Sequence, residues 1–171
     1  MTAPLTDSDL PWGHWLKSAR IPAVSEALEE IYSSLAESAE SIGPVCELSG
    51  RCCRFESFDH RLYATGLEIA WMFAQLDEPG LGRLTGADLP GMDGCPFQVA
   101  GRCSVHPIRP LGCRVFYCDP KATQWQQDAS EKYLKQIGVL HETHGLPYRY
   151  MEWRAGLLDI RRWLERTDDP D

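Results

Sequence analysis

The chain has 171 residues, of which 17 are basic and 25 acidic, so it carries a formal net charge of −8 at pH 7. This charge disfavours nonspecific binding to nucleic acid or to an anionic membrane, and no apolar run approaches the roughly 18 to 20 residues that a membrane span needs. The hydrophobic content of 43% and the lack of an apolar leader at the N-terminus predict a soluble, cytoplasmic, globular protein.

The first elements along the chain are predicted to be an arm and a helix. Residues 1–22 are rich in turn formers and are expected to form an N-terminal arm, whereas residues 23–171 are expected to form one domain. Between residues 24 and 43 the apolar side chains recur on one helical face and the pattern stops at Gly43, which is typical of an amphipathic helix.

The rest of the chain is predicted to be helical apart from its loops. A second helix starts at Thr65, where Glu68 three residues later fits a capping box. The stretch 77–94 is rich in glycine and proline and is predicted to be a loop. Further helices are predicted over 122–143 and 150–166, and no alternating strand pattern of any length occurs. The predicted fold is mainly α, with helices packed around two irregular cysteine-rich metal-binding loops and little or no sheet.

The cysteines occupy two turn-rich segments, 44–64 and 95–120, and none falls in a predicted helix; they are Cys46, Cys52, Cys53, Cys95, Cys103, Cys113 and Cys118. In a reducing cytoplasm such a cluster indicates metal binding or redox chemistry rather than a disulfide framework. The spacing matches neither a zinc finger nor a ferredoxin motif. We expect the first six cysteines to converge in space and all seven to be candidate metal ligands, with Cys118 the weakest.

Positive charges surround the cysteines in a chain that is otherwise acidic. Residues 100–118 contain three arginines and no acid, and two more arginines flank the adjacent cysteine pair. Cationic neighbours lower the pKa of a thiol and offset the negative charge of a metal–thiolate centre. We therefore expect Arg109 or Arg114 to lie against the sulfur centre, or to brace its loop, and we assign both as cofactor-binding candidates.

At these residues the pattern C…CC…CPF…GRCSVHPIRPLGCRVFYC resembles that of the YkgJ-like cysteine-cluster family, a zinc- or iron-chelating domain. Cys46, Cys52 and Cys53 correspond to the family's first cluster, Cys95-Pro96 to its second, and the segment 103–114 to its third. The chain departs from the pattern in having five residues before the adjacent pair and in placing His106 where an aromatic residue is common. The resemblance implies a metal site but no particular reaction.

The identity of the metal stays open between two classes of function. Seven cysteines exceed the four ligands of a tetrahedral zinc ion, and adjacent cysteines do not easily reach one zinc. This favours an iron–sulfur cluster or an iron centre with a redox or maturation role, serving an unknown protein or redox partner. The alternative is a structural zinc module that mediates protein interaction.

Four histidines are further candidates. His141 and His144 stand three residues apart near a helix end, which allows a third function, a metalloenzyme with an open coordination site. The pair also suits a purely structural role at the helix C-terminus. His60 and His106 lie inside the cysteine segments and are candidate ligands or hydrogen-bond donors to ligands.

Overall fold

The computed structural model describes residues 10–46 and 50–167, and within them the protein is mainly helical with two small sheets. The helices and strands in chain order are α1 (Trp12–Ala19), α2 (Pro22–Ile42), β1 (Tyr63–Thr65), α3 (Gly66–Phe73), α4 (Glu78–Gly86), β2 (Gln98–Val99), β3 (Arg102–Cys103), α5 (Leu111–Val115), α6 (Thr123–Thr143), β4 (Tyr150–Glu152) and α7 (Trp153–Thr167). The predicted mainly α fold class is confirmed.

Helix α2 follows the predicted amphipathic segment closely. Pro22 lies in its first turn, and Gly43 ends it in the left-handed region at φ 63°, a conformation that glycine adopts without steric cost. Its buried face packs against α6.

Helix α1 lies inside the segment that was expected to be an arm. Trp12 and Trp15 are almost completely buried and belong to the same core as the rest of the molecule. The Trp15 ring lies against Gly66, where a Cβ would overlap it. For residues 12–19 the structure therefore differs from the expected arm, and residues 1–9 lie outside the described residues.

Helix α3 is the most buried element, and its N-terminus has the predicted capping box. The Thr65 hydroxyl accepts a hydrogen bond from the Glu68 backbone N–H, and the Glu68 carboxylate accepts one from the Thr65 N–H. Every residue from Gly66 to Met72 is buried, because α1, α2 and α7 contact this helix.

Helix α4 corrects the prediction that residues 77–94 form a loop. Asp77 accepts a hydrogen bond from the Gly80 N–H at 2.7 Å, and a proline occupies the first turn. Leu84 is fully buried, and Arg161 of α7 donates to the Ala87 carbonyl at 2.6 Å. Packing against α7 therefore outweighs the low helix propensity of the glycines.

The two sheets are short antiparallel pairs. Strand β1 pairs with β4, with Tyr63 opposite Glu152, and so joins the start of α3 to the start of α7. Strand β2 pairs with β3, with Gln98 opposite Cys103. No helix in the described parts of the chain is both long and apolar enough to cross a membrane.

Candidate metal centre

The cysteines line two adjoining cavities. The first, which we call the inner cavity, has a volume of about 30 Å³ and is bordered by five thiols, those of Cys52, Cys53, Cys95, Cys103 and Cys113. The second, the outer cavity, has a volume of about 250 Å³ and is bordered by Cys46, Cys52, Cys53, Cys103 and Cys118. Three cysteines and Arg109 border both cavities, so the two cysteine groups of the sequence meet in space.

A close backbone approach brings the two groups together. The Cys95 N–H donates to the Cys53 carbonyl at 2.9 Å. Gly94, just before it, has φ 109°, and a Cβ at this position would overlap the Cys53 carbonyl oxygen. Only glycine meets both requirements, the positive φ and the missing side chain. Gly94 is therefore the residue that allows Cys53 and Cys95 to share a cavity.

The β2–β3 hairpin positions Cys103. The Gln98 side-chain amide donates to the Gly50 carbonyl at 2.9 Å, which ties the hairpin to the loop that precedes Cys52. Gly50 has φ 69°, and the following residues 51–53 form one 3-10 turn. Cys103 on β3 is thereby held beside the adjacent cysteine pair.

Cys113 lies in the short helix α5, although no cysteine was expected in a helix. The five residues of α5 follow a proline-rich turn and were too few to show a helical period in the sequence. Its position is set by Glu68, whose carboxylate accepts a hydrogen bond from the Leu111 N–H at 2.7 Å. The same carboxylate accepts from the Tyr32 hydroxyl at 2.9 Å, so Glu68 connects α3, α2 and α5.

Gly112 also allows a close approach. A Cβ there would lie 2.6 Å from the Tyr63 carbonyl oxygen, closer than the van der Waals contact of the atoms. A larger side chain at this position would therefore collide with the β1 backbone.

The two arginines that were assigned as cofactor candidates have different positions. Arg109 borders both thiol cavities. Arg114 donates to the carbonyls of Arg109 and Pro107, each at 2.6 Å, and its guanidinium lies 3.9 Å from the centre of the Tyr32 ring. Arg109 is therefore the cation beside sulfur, and Arg114 braces the loop that carries it.

Burial holds most of the inner thiols in their protonated form. The hydrogen bond with Cys53, together with burial, raises the pKa of Cys52. Burial raises the pKa of Cys103 and Cys113 as well, and the nearby Arg109 charge offsets this only in part. For Cys53 a hydrogen bond from Cys52 lowers the pKa, but the Cys95 thiol and burial outweigh it and raise the pKa to about 12. A metal ion that bound here would displace these protons.

The donor set suits a thiophilic metal, but its side chains are not arranged around one point. The Cys52 and Cys53 sulfurs lie 3.9 Å apart, and Trp153 donates its indole N–H to the Cys95 sulfur at 3.4 Å. Within residues 10–46 and 50–167, no group of three or more His, Cys, Asp or Glu side chains is arranged so that it could hold a metal ion. Coordination therefore requires rotation of the thiols into the cavity they already border.

The four candidate histidines differ in their surroundings. His60 lies with its Nε2 3.3 Å from the Cys52 carbonyl and stacks on Phe116, so it supports the cysteine loop. His106 borders the outer cavity, and burial together with Arg109 and Arg114 lowers its pKa. His141 is buried with its Nδ1 3.0 Å from the Pro147 carbonyl, whereas His144 is exposed. Neither of this last pair borders a thiol cavity.

Three residues of the site had no clear signal in the sequence. The sequence pattern predicts Glu68 only as part of a helix cap, and it places Trp153 only in a predicted helix and Gly94 only in a predicted loop. Their contacts join positions 36 to 58 residues apart, which local patterns do not report. A glycine directly before Cys-Pro was the one available signal for Gly94, since it often marks close backbone approach.

Comparison of the chain with known protein families, with curated proteins and with solved structures finds no match. The fold and the site define a mainly helical protein with a group of buried and half-buried thiols around one cavity. The resemblance to YkgJ-like proteins rests on the motif alone and stays an expectation.

Proposed function

We propose that the protein binds a metal through its clustered cysteines, as an iron–sulfur or iron protein with a redox or maturation role. The observation that carries the proposal is the meeting of five thiols from the two separate cysteine segments on one cavity. A motif resemblance to a metal-chelating family supports it. The client or redox partner is a protein of unknown identity.

Groups that favour sulfur anions support the same proposal. Arg109 borders both thiol cavities, and the Trp153 indole donates to the Cys95 sulfur. A nearby cation and an N–H donor stabilise a thiolate more than a thiol. If the cysteines served only as small apolar core residues, neither group would be needed beside them.

A structural zinc ion is the second candidate, and the size of the inner cavity favours it. A volume of about 30 Å³ holds little more than one water-sized particle. A single ion fits this space, whereas a larger cluster would extend into the outer cavity, which shares three of the cysteines. A cluster would therefore be coordinated by cysteines of the outer cavity as well, whereas a single zinc ion would need only those of the inner cavity.

Isolation under anaerobic conditions, followed by metal and acid-labile sulfide analysis, tests the proposal. For the first candidate we expect coloured protein that contains iron, with acid-labile sulfide if the centre is a cluster and without it if the centre is a single iron ion. For the second we expect colourless protein with stoichiometric zinc. Cys53→Ser and Cys95→Ser should each lower the metal content at least about twofold, since each removes a thiol from the inner cavity. If the purified protein takes up neither iron nor zinc after anaerobic reconstitution, the proposal is contradicted.

Val105→Thr is the matched control for these variants. Val105 also borders the inner cavity and is 6% exposed, so the substitution adds a hydroxyl group at the same wall and removes no thiol. Metal content should be retained in this variant. If Val105→Thr lost metal as strongly as the serine variants, the losses would report damage to the fold and not the loss of ligands.

A further inference from the structure

A third cavity borders Arg109 on a surface that no cysteine lines. This arginine cleft has a volume of about 370 Å³, and its described lining includes Arg109 and Arg114. Small side chains of α2, those of Ala36 and Ala39, line it together with Leu35. The volume lies within the range of small-molecule sites.

The two arginines of the cleft form no direct ion pair within the described residues, although the buried Glu68 carboxylate attracts Arg114 from a greater distance. Other arginines of the chain do form ion pairs. The Arg109 Nε is also buried, and it has no hydrogen-bond partner among the described residues. Arg114 uses its Nε and one Nη for backbone carbonyls, which leaves the other Nη. Partly buried guanidinium groups normally gain an anion to offset their desolvation.

We propose that the arginine cleft binds a small organic anion. Its carboxylate or phosphate oxygens would accept charge-assisted hydrogen bonds from Arg109 and Arg114, and its body would lie against the apolar α2 wall. The exposed Glu40 also lines the cleft. Its charge repels the anion, so the affinity is expected to be moderate.

This site does not depend on the proposed metal, although the two share one side chain. Arg109 borders the arginine cleft and both thiol cavities. Anion binding is therefore measured on the full chain with its metal as isolated and again after chelation. Binding in either form supports the cleft as an anion site, whatever the outcome of the metal analysis.

Calorimetric titration with inorganic phosphate and, separately, with succinate tests the inference and identifies the anion chemistry. Saturable binding of phosphate alone indicates a phosphate ligand, binding of succinate alone indicates a carboxylate ligand, and binding of both indicates a general oxyanion site. Saturable binding of neither probe at millimolar concentration overturns the inference.

Ala36→Glu provides the decisive variant, because Ala36 is an exposed α2 residue that lines the cleft. The new carboxylate would pair with the arginines and should weaken binding at least about tenfold, as expected for the loss of a charge-assisted contact. Gln127→Glu adds the same charge at an exposed α6 position outside the described lining and should leave affinity unchanged. Binding that survives Ala36→Glu overturns the cleft assignment.

Two further variants test the charge of the cleft. Arg109→Gln should weaken binding about tenfold or more, and Glu40→Gln should strengthen it by removing the repulsive charge. If Arg109→Gln does not fold, Ala36→Glu still decides the matter, since its side chain is on the surface. Metal content should be unchanged in Ala36→Glu, which separates failure at the cleft from failure at the thiols.

Discussion

At the residue scale, Glu68 links the core to the candidate site. It is fully buried, and its carboxylate oxygens accept hydrogen bonds from Tyr32, from Thr65 and from the Leu111 N–H. Every one of these partners is an N–H or O–H donor. An acceptor-only side chain therefore fits this position, and a side chain with its own N–H donors does not.

Glu68→Gln is expected to lower the free energy of unfolding by about 3 kcal/mol, because one amide N–H₂ must then face a buried donor. The Leu111 N–H begins α5, so the substitution should also loosen the turn that holds Cys113 and reduce metal retention. Chemical denaturation and metal analysis measure the two effects. Glu142→Gln, at an exposed position on α6, is the control and should change stability by less than about 0.5 kcal/mol. Equal effects of the two substitutions would contradict this role of Glu68.

The capping box at Glu68 was predictable from the sequence, but its other contacts were not. The box depends on residues three positions apart, which a local pattern reports. Tyr32 and Leu111 are 36 and 43 residues away from Glu68, and nothing in either segment marks them as its partners. The sequence thus predicted the role of Glu68 in the helix cap. Its second role, connecting α2 and α5, depends on tertiary packing.

At the element scale, the turn at Gly94 determines whether the two cysteine segments can meet. Gly94→Ala should cost about 3 kcal/mol or more of folding stability, since the new Cβ would overlap the Cys53 carbonyl and the backbone has a positive φ. Displacement of Cys95 from Cys53 should lower metal content in parallel. Thermal or chemical unfolding and metal analysis of the purified variant provide the measurement.

Gly101→Ala is the matched control for this substitution. Gly101 has φ 77°, also in the left-handed region, but no atom lies within 4 Å of where its Cβ would be. The variant should therefore cost only the backbone term of about 1–2 kcal/mol and retain its metal. A similar loss of stability and metal at both positions would show that the close approach at Gly94 is not important.

The elements themselves were predicted unevenly. Helices α2 and α6 were predicted within two residues at each end, because long amphipathic segments carry a strong periodic signal. Helix α4 was taken for a loop because its glycines outweighed a valid start signal, Asp77 followed by a proline in the first turn. Helix α5 is five residues long and is too short for any period to be detected.

At the scale of the whole molecule, one core supports both the helices and the thiol cavities. Cys53 and Cys95 are buried members of the hydrophobic cluster that also contains Trp15 of α1 and Ile137 of α6. The cysteine segments themselves contain little regular structure. The buried face of α2 was predictable from the apolar periodicity of its sequence. The sequence did not show that the same core also surrounds the thiols, because the contacts involved are long-range and appear only in the folded structure.

This arrangement predicts that metal removal loosens the cysteine segments before it unfolds the helices. Ordering an irregular segment costs roughly 1–2 kcal/mol per residue, and metal–thiolate bonds would offset that cost. Chelation under reducing conditions should therefore speed tryptic cleavage after Arg54 and Arg102, while the far-ultraviolet circular dichroism of the helices persists. Cleavage after Lys135, which is exposed on α6, serves as the internal control and should keep its rate. Unchanged cleavage at all three sites, in protein shown to have lost its metal, would mean that hydrophobic packing alone orders the cysteine segments.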